Sequence, residues 1–270
     1  MAEPLAVLGT YRRLAGAAVR SRLQYRLSFA LDFVSAGGVS FLEFVAVLVI
    51  FSHLRALGGW SLYEVAFLYG AAGVAFAITD VAVGHIDLFA ESIRRGDFDV
   101  VLLRPLGTLF QVIAADFAIR RLAKVAQAAA VLAFAIAHLR IDWTPVRLAL
   151  LAAMLVSGTA IFSGIWVAGA SVAFWILDGL ELLNSFTYGG SFLSAYPVSI
   201  FGEWVRRLFA FVVPVAFVAY YPSLYILGRR DPLGGPTWLS FASPLVALLV
   251  LAAAGWAWRT GVRHYRSAGS

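Results

Sequence analysis

Residues 146–170 read VRLALLAAMLVSGTAIFSGIWVAGA, and Arg147 is the one charged side chain among them. A bilayer's hydrocarbon layer is about 30 Å thick, and roughly 20 apolar helical residues cross it. This run is long enough. In lipid, a span must satisfy its own backbone polar groups, which leaves helices and closed barrels. The apolar residues are continuous rather than alternating, which excludes a barrel strand. The stretch therefore reads as a transmembrane helix.

The pattern recurs along the 270 residues. Apolar runs predict spans at 27–52, 62–84, 107–138, 146–170, 184–201 and 238–258. Composition agrees, with 61% hydrophobic and 13% charged residues, against about 45–50% and about 25% in soluble domains. The expected fold class is an all-α integral membrane protein with six transmembrane helices. Residues 1–24 read as an N-terminal amphipathic interface helix, with Val7, Tyr11, Leu14 and Ala18 on one face and Arg12, Arg13 and Arg20 opposite. Gly58-Gly59 mark a short outer turn. Pro214 and Pro222 interrupt the apolar run of 203–230, which reads as an outer re-entrant helical segment. Irregular backbone at that depth needs protein or a cavity around it.

Charge sets the topology. Fourteen of the 21 basic residues fall on one side of this arrangement: the N-terminal cluster, the six between Arg94 and Lys124, and Arg259, Arg263 and Arg266. Basic residues mark the inner side, so both termini are expected in the cytoplasm of a multi-pass protein of the cytoplasmic membrane. A seventh crossing through 203–230 would turn the C-terminal arginines outward. The net charge of +6 does not point to nucleic acid, because the arginines sit at span ends. The first apolar run is too long for a cleavable signal.

Enzyme constellations are missing. There is no cysteine, and His53, His85, His138 and His264 are scattered without metal-ligand spacing. No G-x-S-x-G elbow occurs. No G-x-x-x-x-G-K-[ST] loop occurs either, and the single lysine, Lys124, follows Ala123. No catalytic residue, metal or cofactor is expected in this chain. If ATP drives it, another subunit supplies the ATPase.

Several polar residues fall inside the spans. A carboxyl at a helix centre costs about 2.5–3.5 kcal/mol on insertion, so Glu43 is expected to face a partner or a cavity. Two readings stand: a cavity-lining carboxylate for a cationic substrate, or a protonated Glu bonding a neighbouring helix. Asp32 and Asp80 lie near inner ends and read as snorkelling. Asp116 and Arg120 read as an i,i+4 pair. Ala160, Gly164 and Ala168 form a small-residue row, as do Gly73 and Ala77, and such rows let helices approach. Tyr220, Tyr221, Trp143, Trp204 and Trp238 read as an aromatic belt, or alternatively as lining an exit path.

The stretch between the second and third spans, residues 85–106, reads HIDLFAESIRRGDFDVVLLRPL. It can form a short helix with Ile86, Phe89 and Ile93 on one face. Gly96 ends it as a C-cap. A second short turn runs from Phe98 to Leu103, and Pro105 resets the chain. Such a helix across the inner surface suits docking of a partner protein; the plainer reading is an ordinary loop.

The pattern from Ile93 through Arg94, Gly96, Phe98, Asp99, Arg104 and Pro105 to Leu106 resembles the type-2 class of ABC transporter permeases. It looks closest to the subfamily encoded with a second, related permease and a separate ATPase. Tyr196-Pro197-Val198-Ser199-Ile200-Phe201, then Pro214, then Tyr220-Tyr221-Pro222 stand in that subfamily's order, so the resemblance covers most of the chain.

The resemblance implies a six-helix permease with an interface helix, a cytoplasmic coupling helix and paired outer half-helices before the sixth span. It implies two permease chains, related rather than identical, and an ATPase dimer holding ATP and Mg. Members of the class export drugs, lipids or polysaccharides, and some relatives extrude cationic xenobiotics. On this reading Ile86, Phe89 and Ile93 anchor 86–104 in a groove of the ATPase, and Glu91, Arg94, Arg95 and Asp97 pair at its rim. Glu43, Tyr196, Tyr220 and Tyr221 are the candidate substrate path. A secondary transporter would need matching broken spans in both halves, and 203–230 has no counterpart. A membrane scaffold subunit is the other alternative.

Overall fold

Ser61 starts the central helix. Its hydroxyl accepts a hydrogen bond from the Glu64 amide, and the Glu64 carboxylate accepts one from the Ser61 amide at 2.8 Å. This reciprocal cap satisfies two donors that a helix start leaves open. The structure, a computed structural model, describes residues 26–114, 121–176 and 180–266. The predicted interface helix at 1–24, the Asp116–Arg120 pair and the side chain of Asp32 lie outside the described residues.

Helix α1 covers Arg26–His53 and α2 covers Leu62–Val83. The predicted turn joins them. Gly58 and Gly59 have φ of 57° and 83°, and Leu57 and Trp60 exchange backbone hydrogen bonds across it. Beyond α2 come a 3-10 turn, Gly84–Leu88, then α3 (Phe89–Arg94), α4 (Asp97–Leu102) and α5 (Thr108–Ile113). Helix α6 is Leu122–His138 and α7 is Pro145–Ser171, capped by Thr144 with Pro145 in its first turn. Helix α8 is Leu180–Ser194, α9 is Glu203–Arg207, α10 is Tyr220–Ile226 and α11 is Ser243–His264. Among the described residues there is no strand.

Among the described residues, three helical stretches are long and apolar enough to cross a bilayer: Leu62–Arg94, Pro145–Phe174 and Ser243–His264. Six were expected. Apolar helix in α1 and α6 is shorter, at Gly37–His53 and Leu122–His138. The predicted fifth span, 184–201, is displaced. Helix α8 ends at Ser194 because Pro197 disfavours helical backbone in the residue before it. The expected break in 203–230 is present, since Glu203–Ala210 and Val215–Ile226 meet at 74°. Pro214 causes it by removing an amide and holding Val213 outside the helical region.

Helix α2 packs between α6 and α7. Beyond these, α1 lies on α6 and α11 on α7, and α8 crosses α7 and α2. The backbones approach closely at two glycines. A Cβ on Gly164 would lie 2.6 Å from Val250 of α11, so the small-residue row of α7 works as expected. Sequence reading missed Gly70, where a Cβ would lie 2.6 Å from the Leu132 backbone nitrogen. Backbone on a packed helix cannot yield as a side chain does. Gly70→Ala is expected to destabilise the chain by about 1–3 kcal/mol, read as a lower thermal midpoint in detergent; an unchanged midpoint would refute the close α2–α6 contact.

Candidate functional site

Residues 84–106 form a rigid knot rather than a loose connection. Gly96 adopts φ 74° just past α3, and its amide bonds the Ile93 carbonyl. The predicted C-cap glycine is therefore where it was expected. The Gln111 side chain donates to the carbonyls of Val101 and Leu106, at 3.1 and 2.8 Å, and pins the bend around Arg104 and Pro105.

The apolar face of this segment turns inward, which corrects the expected anchoring role. Ile86, Phe89, Ile93 and Phe98 are all buried within this chain. The Phe89 ring meets Phe98, Phe174 and Trp258 at centroid distances of 5.3, 5.0 and 4.8 Å. Phe98 meets Tyr265 at 4.9 Å. Polar ties close the cluster: the Trp258 indole donates to the Thr108 hydroxyl, and the Tyr265 hydroxyl to Asp99. The knot is thus fastened to the ends of α7 and α11, and its apolar face is unavailable to a partner. Outward lie Leu88, Val100, Leu102 and Leu103, the last 86% exposed, with Arg104 and Pro105. Glu91, Arg94, Arg95 and Asp97 are exposed too and pair among themselves, with Arg95 to Glu91 at 3.4 Å and to Asp97 at 3.7 Å.

A cavity of about 480 Å³ opens between α1, α2, α6 and α8. Glu43 reaches it from α1, Tyr69 and Phe76 from α2, Lys124 and Gln127 from α6, Tyr188 from α8 and Tyr196 from just beyond it. The Tyr69 hydroxyl donates to the Ser40 carbonyl at 3.2 Å. The wall combines aromatic faces with one carboxylate and one ammonium. The ammonium is already engaged: Lys124 bonds Asp80 at 3.1 Å. Glu43 and Tyr196 are therefore brought together, as the sequence reading grouped them. Tyr220 and Tyr221 do not line the cavity; both are buried in the core that Tyr196 also joins. They form no belt, whereas Trp143, Trp204 and Trp238 are exposed.

A sequence model of the ABC-2 family transporter proteins matches residues 38–269. The chain belongs to this family. No curated protein and no solved structure matches it. An ABC-2 family member is the membrane component of a transporter, so the chain is a permease subunit and a multi-pass membrane protein. The family in general works with an ABC ATPase.

Three polar clusters in this ABC-2 permease escaped the sequence reading. Asp80 does not snorkel. It is 3% exposed, lies 3.2 Å from the Arg121 guanidinium and 3.1 Å from Lys124, and Arg121 also donates to its backbone carbonyl. Asp87 accepts from the Trp166 indole of α7 and from the Tyr188 hydroxyl of α8. At the other end Arg229 grips both oxygens of Glu64 at 2.7 Å, donates to the Gly59 carbonyl and lies 4.4 Å over the Trp60 ring. Trp60 in turn donates to Ser199 and meets Tyr220 at 5.9 Å. The Tyr196–Phe201 and Tyr220–Pro222 motifs thus converge on the α1–α2 turn. Only the cap of α2 had a local signature, Ser61 followed by Glu64 three residues later.

Proposed function

We propose that this permease is one half of an ATP-driven exporter in the cytoplasmic membrane. The other half is a second, related permease chain, and an ATPase dimer supplies ATP and Mg. On this reading the chain crosses six times with both termini in the cytoplasm, and residues 1–24 lie on the inner lipid surface. Residues 203–230 dip in from outside and return. The cargo is a hydrophobic or cationic amphipathic compound, held first in the cavity by Glu43 and Tyr196.

The attachment of 84–106 to three long helices at once carries the reading. This knot continues α2 and is clamped by aromatic packing to α7 and α11. A push on its outer face therefore moves all three helices as one body. Docking falls to that outer face, with Leu103 as the apolar contact and Glu91, Arg94, Arg95, Asp97 and Arg104 around it. Leu103→Asp is expected to lose the ATPase while the permease still inserts.

Affinity purification of the tagged chain from its native host, followed by mass spectrometry, tests this directly. An ATP-binding-cassette protein beside a second related permease is the expected result. Recovery of the chain alone would favour the secondary-transporter or scaffold alternatives. The cargo reading has its own test. Glu43→Gln is expected to weaken binding of a cationic dye by about tenfold or more, the value of one charge-assisted contact, and to leave a neutral dye unaffected. Equal effects on both dyes would make Glu43 a helix–helix contact.

A further inference from the structure

We infer that the Tyr188–Asp87 hydrogen bond reports cargo in the cavity to the segment 84–106; this rests on the cavity being the cargo site. Tyr188 belongs to both structures. Its ring is part of the cavity wall, and its hydroxyl donates to Asp87 at 2.9 Å. Asp87 stands in the 3-10 turn that opens the segment, two residues before Phe89 enters the aromatic knot. The other Asp87 oxygen accepts from Trp166, so the carboxylate is held between α7 and α8.

Phe76 completes the linkage from the cavity side. It lines the cavity, stacks on Trp166 at 5.3 Å with 17° between planes, and meets Tyr188 edge-on at 5.7 Å. A molecule packed against Phe76 and Tyr188 presses on the two rings that orient the donors to Asp87. Hydrogen bonds weaken steeply as their angle departs from linear, and those to a carboxylate are the stronger kind. A small ring displacement therefore changes how firmly the turn is held. Cargo shifts an equilibrium only if it favours one state; the two states here are the turn held by both donors and the turn held by Trp166 alone. The parallel contact, Lys124 to Asp80, ends on α2 and not on the segment, since Asp80 lies before Gly84. Tyr188 is a positioning residue, acting on the segment through Asp87.

The test uses the complete transporter with its ATPase in lipid nanodiscs and ethidium as the probe. Ethidium fluorescence reads binding, and phosphate release reads the ratio of stimulated to unstimulated ATPase. The wild-type complex is expected to bind ethidium and show stimulation of about fivefold, the low end of typical coupling. Asp87→Asn keeps an acceptor for Trp166, replaces the charged acceptor of the Tyr188 hydroxyl with an amide donor, and lies outside the cavity wall. It is expected to bind ethidium as wild type does and to lose the stimulation. Tyr188→Phe, which keeps the ring and removes only the hydroxyl, is expected to lose it too. Hydrogen exchange at residues 84–94 should respond to ethidium in wild type and in neither variant. Stimulation retained in either variant overturns the relay, and so does loss of ethidium binding in Asp87→Asn. Absence of binding in the wild-type complex instead defeats the cargo reading, and the relay with it.

Discussion

Phe89→Ala is expected to destabilise this permease by about 3–5 kcal/mol, the range for truncating a buried aromatic residue. Phe89 is 1% exposed and meets three rings. Those rings cannot easily close the gap, since Trp258 is fixed by its bond to Thr108 and Phe98 is held against Tyr265. Edge-to-face pairs add to the loss beyond the area exposed. The effect should appear as a lower midpoint of thermal unfolding in detergent and as less folded chain in the membrane fraction. Loss of the ATPase should follow loss of the fold. Leu103→Asp should do the reverse, with a wild-type midpoint and no ATPase. A Phe89→Ala chain that melts like wild type yet fails to recover the ATPase would restore Phe89 as a docking contact.

Asp80→Ala is expected to cost about 3–5 kcal/mol, the penalty for breaking a buried ion pair by removing one partner. The loss leaves Arg121 and Lys124, at 20% and 37% side-chain exposure, without their shared counter-charge. Two features of the pairing give a sharper check. Lys124→Gln alone should cost less, because Asp80 keeps Arg121. The double variant Asp80→Asn with Lys124→Gln should lose less than the sum of its singles, since contacting partners are not additive. Additive losses, measured by thermal unfolding of all three variants, would mean that Asp80 and Lys124 act independently.

Much of the fold was legible because the signals are local. The apolar run of α7, the glycine pair before Trp60, the cap at Gly96 and the break at Pro214 each follow from a few neighbouring residues. The helix of the expected fifth span stops at Ser194 rather than 201, because Pro197 disfavours helical backbone in the residue before it. The face of 84–106 was read correctly as a face and wrongly as a contact. Periodicity puts Ile86, Phe89 and Ile93 together, but an apolar stripe looks the same whether its cover is a partner protein or Phe174 and Trp258 of the same chain. Asp80 was misread because its partners are 41 and 44 positions away. Glu64 and Arg229 are 165 apart. Tyr196 shares a core with Tyr220 and Tyr221, but motif order does not tell which of them lines the cavity.

The sequence by itself determined an all-helical membrane protein of the ABC-2 family, because a chain in lipid must satisfy its backbone within each segment and local composition reveals which segments can. Only the tertiary structure decided which carboxylates are neutralised and which faces are covered. It also decided that the cavity and the segment 84–106 meet at Tyr188 and Asp87. Those outcomes depend on side chains that packing brings together across distant helices, and no local pattern encodes that proximity.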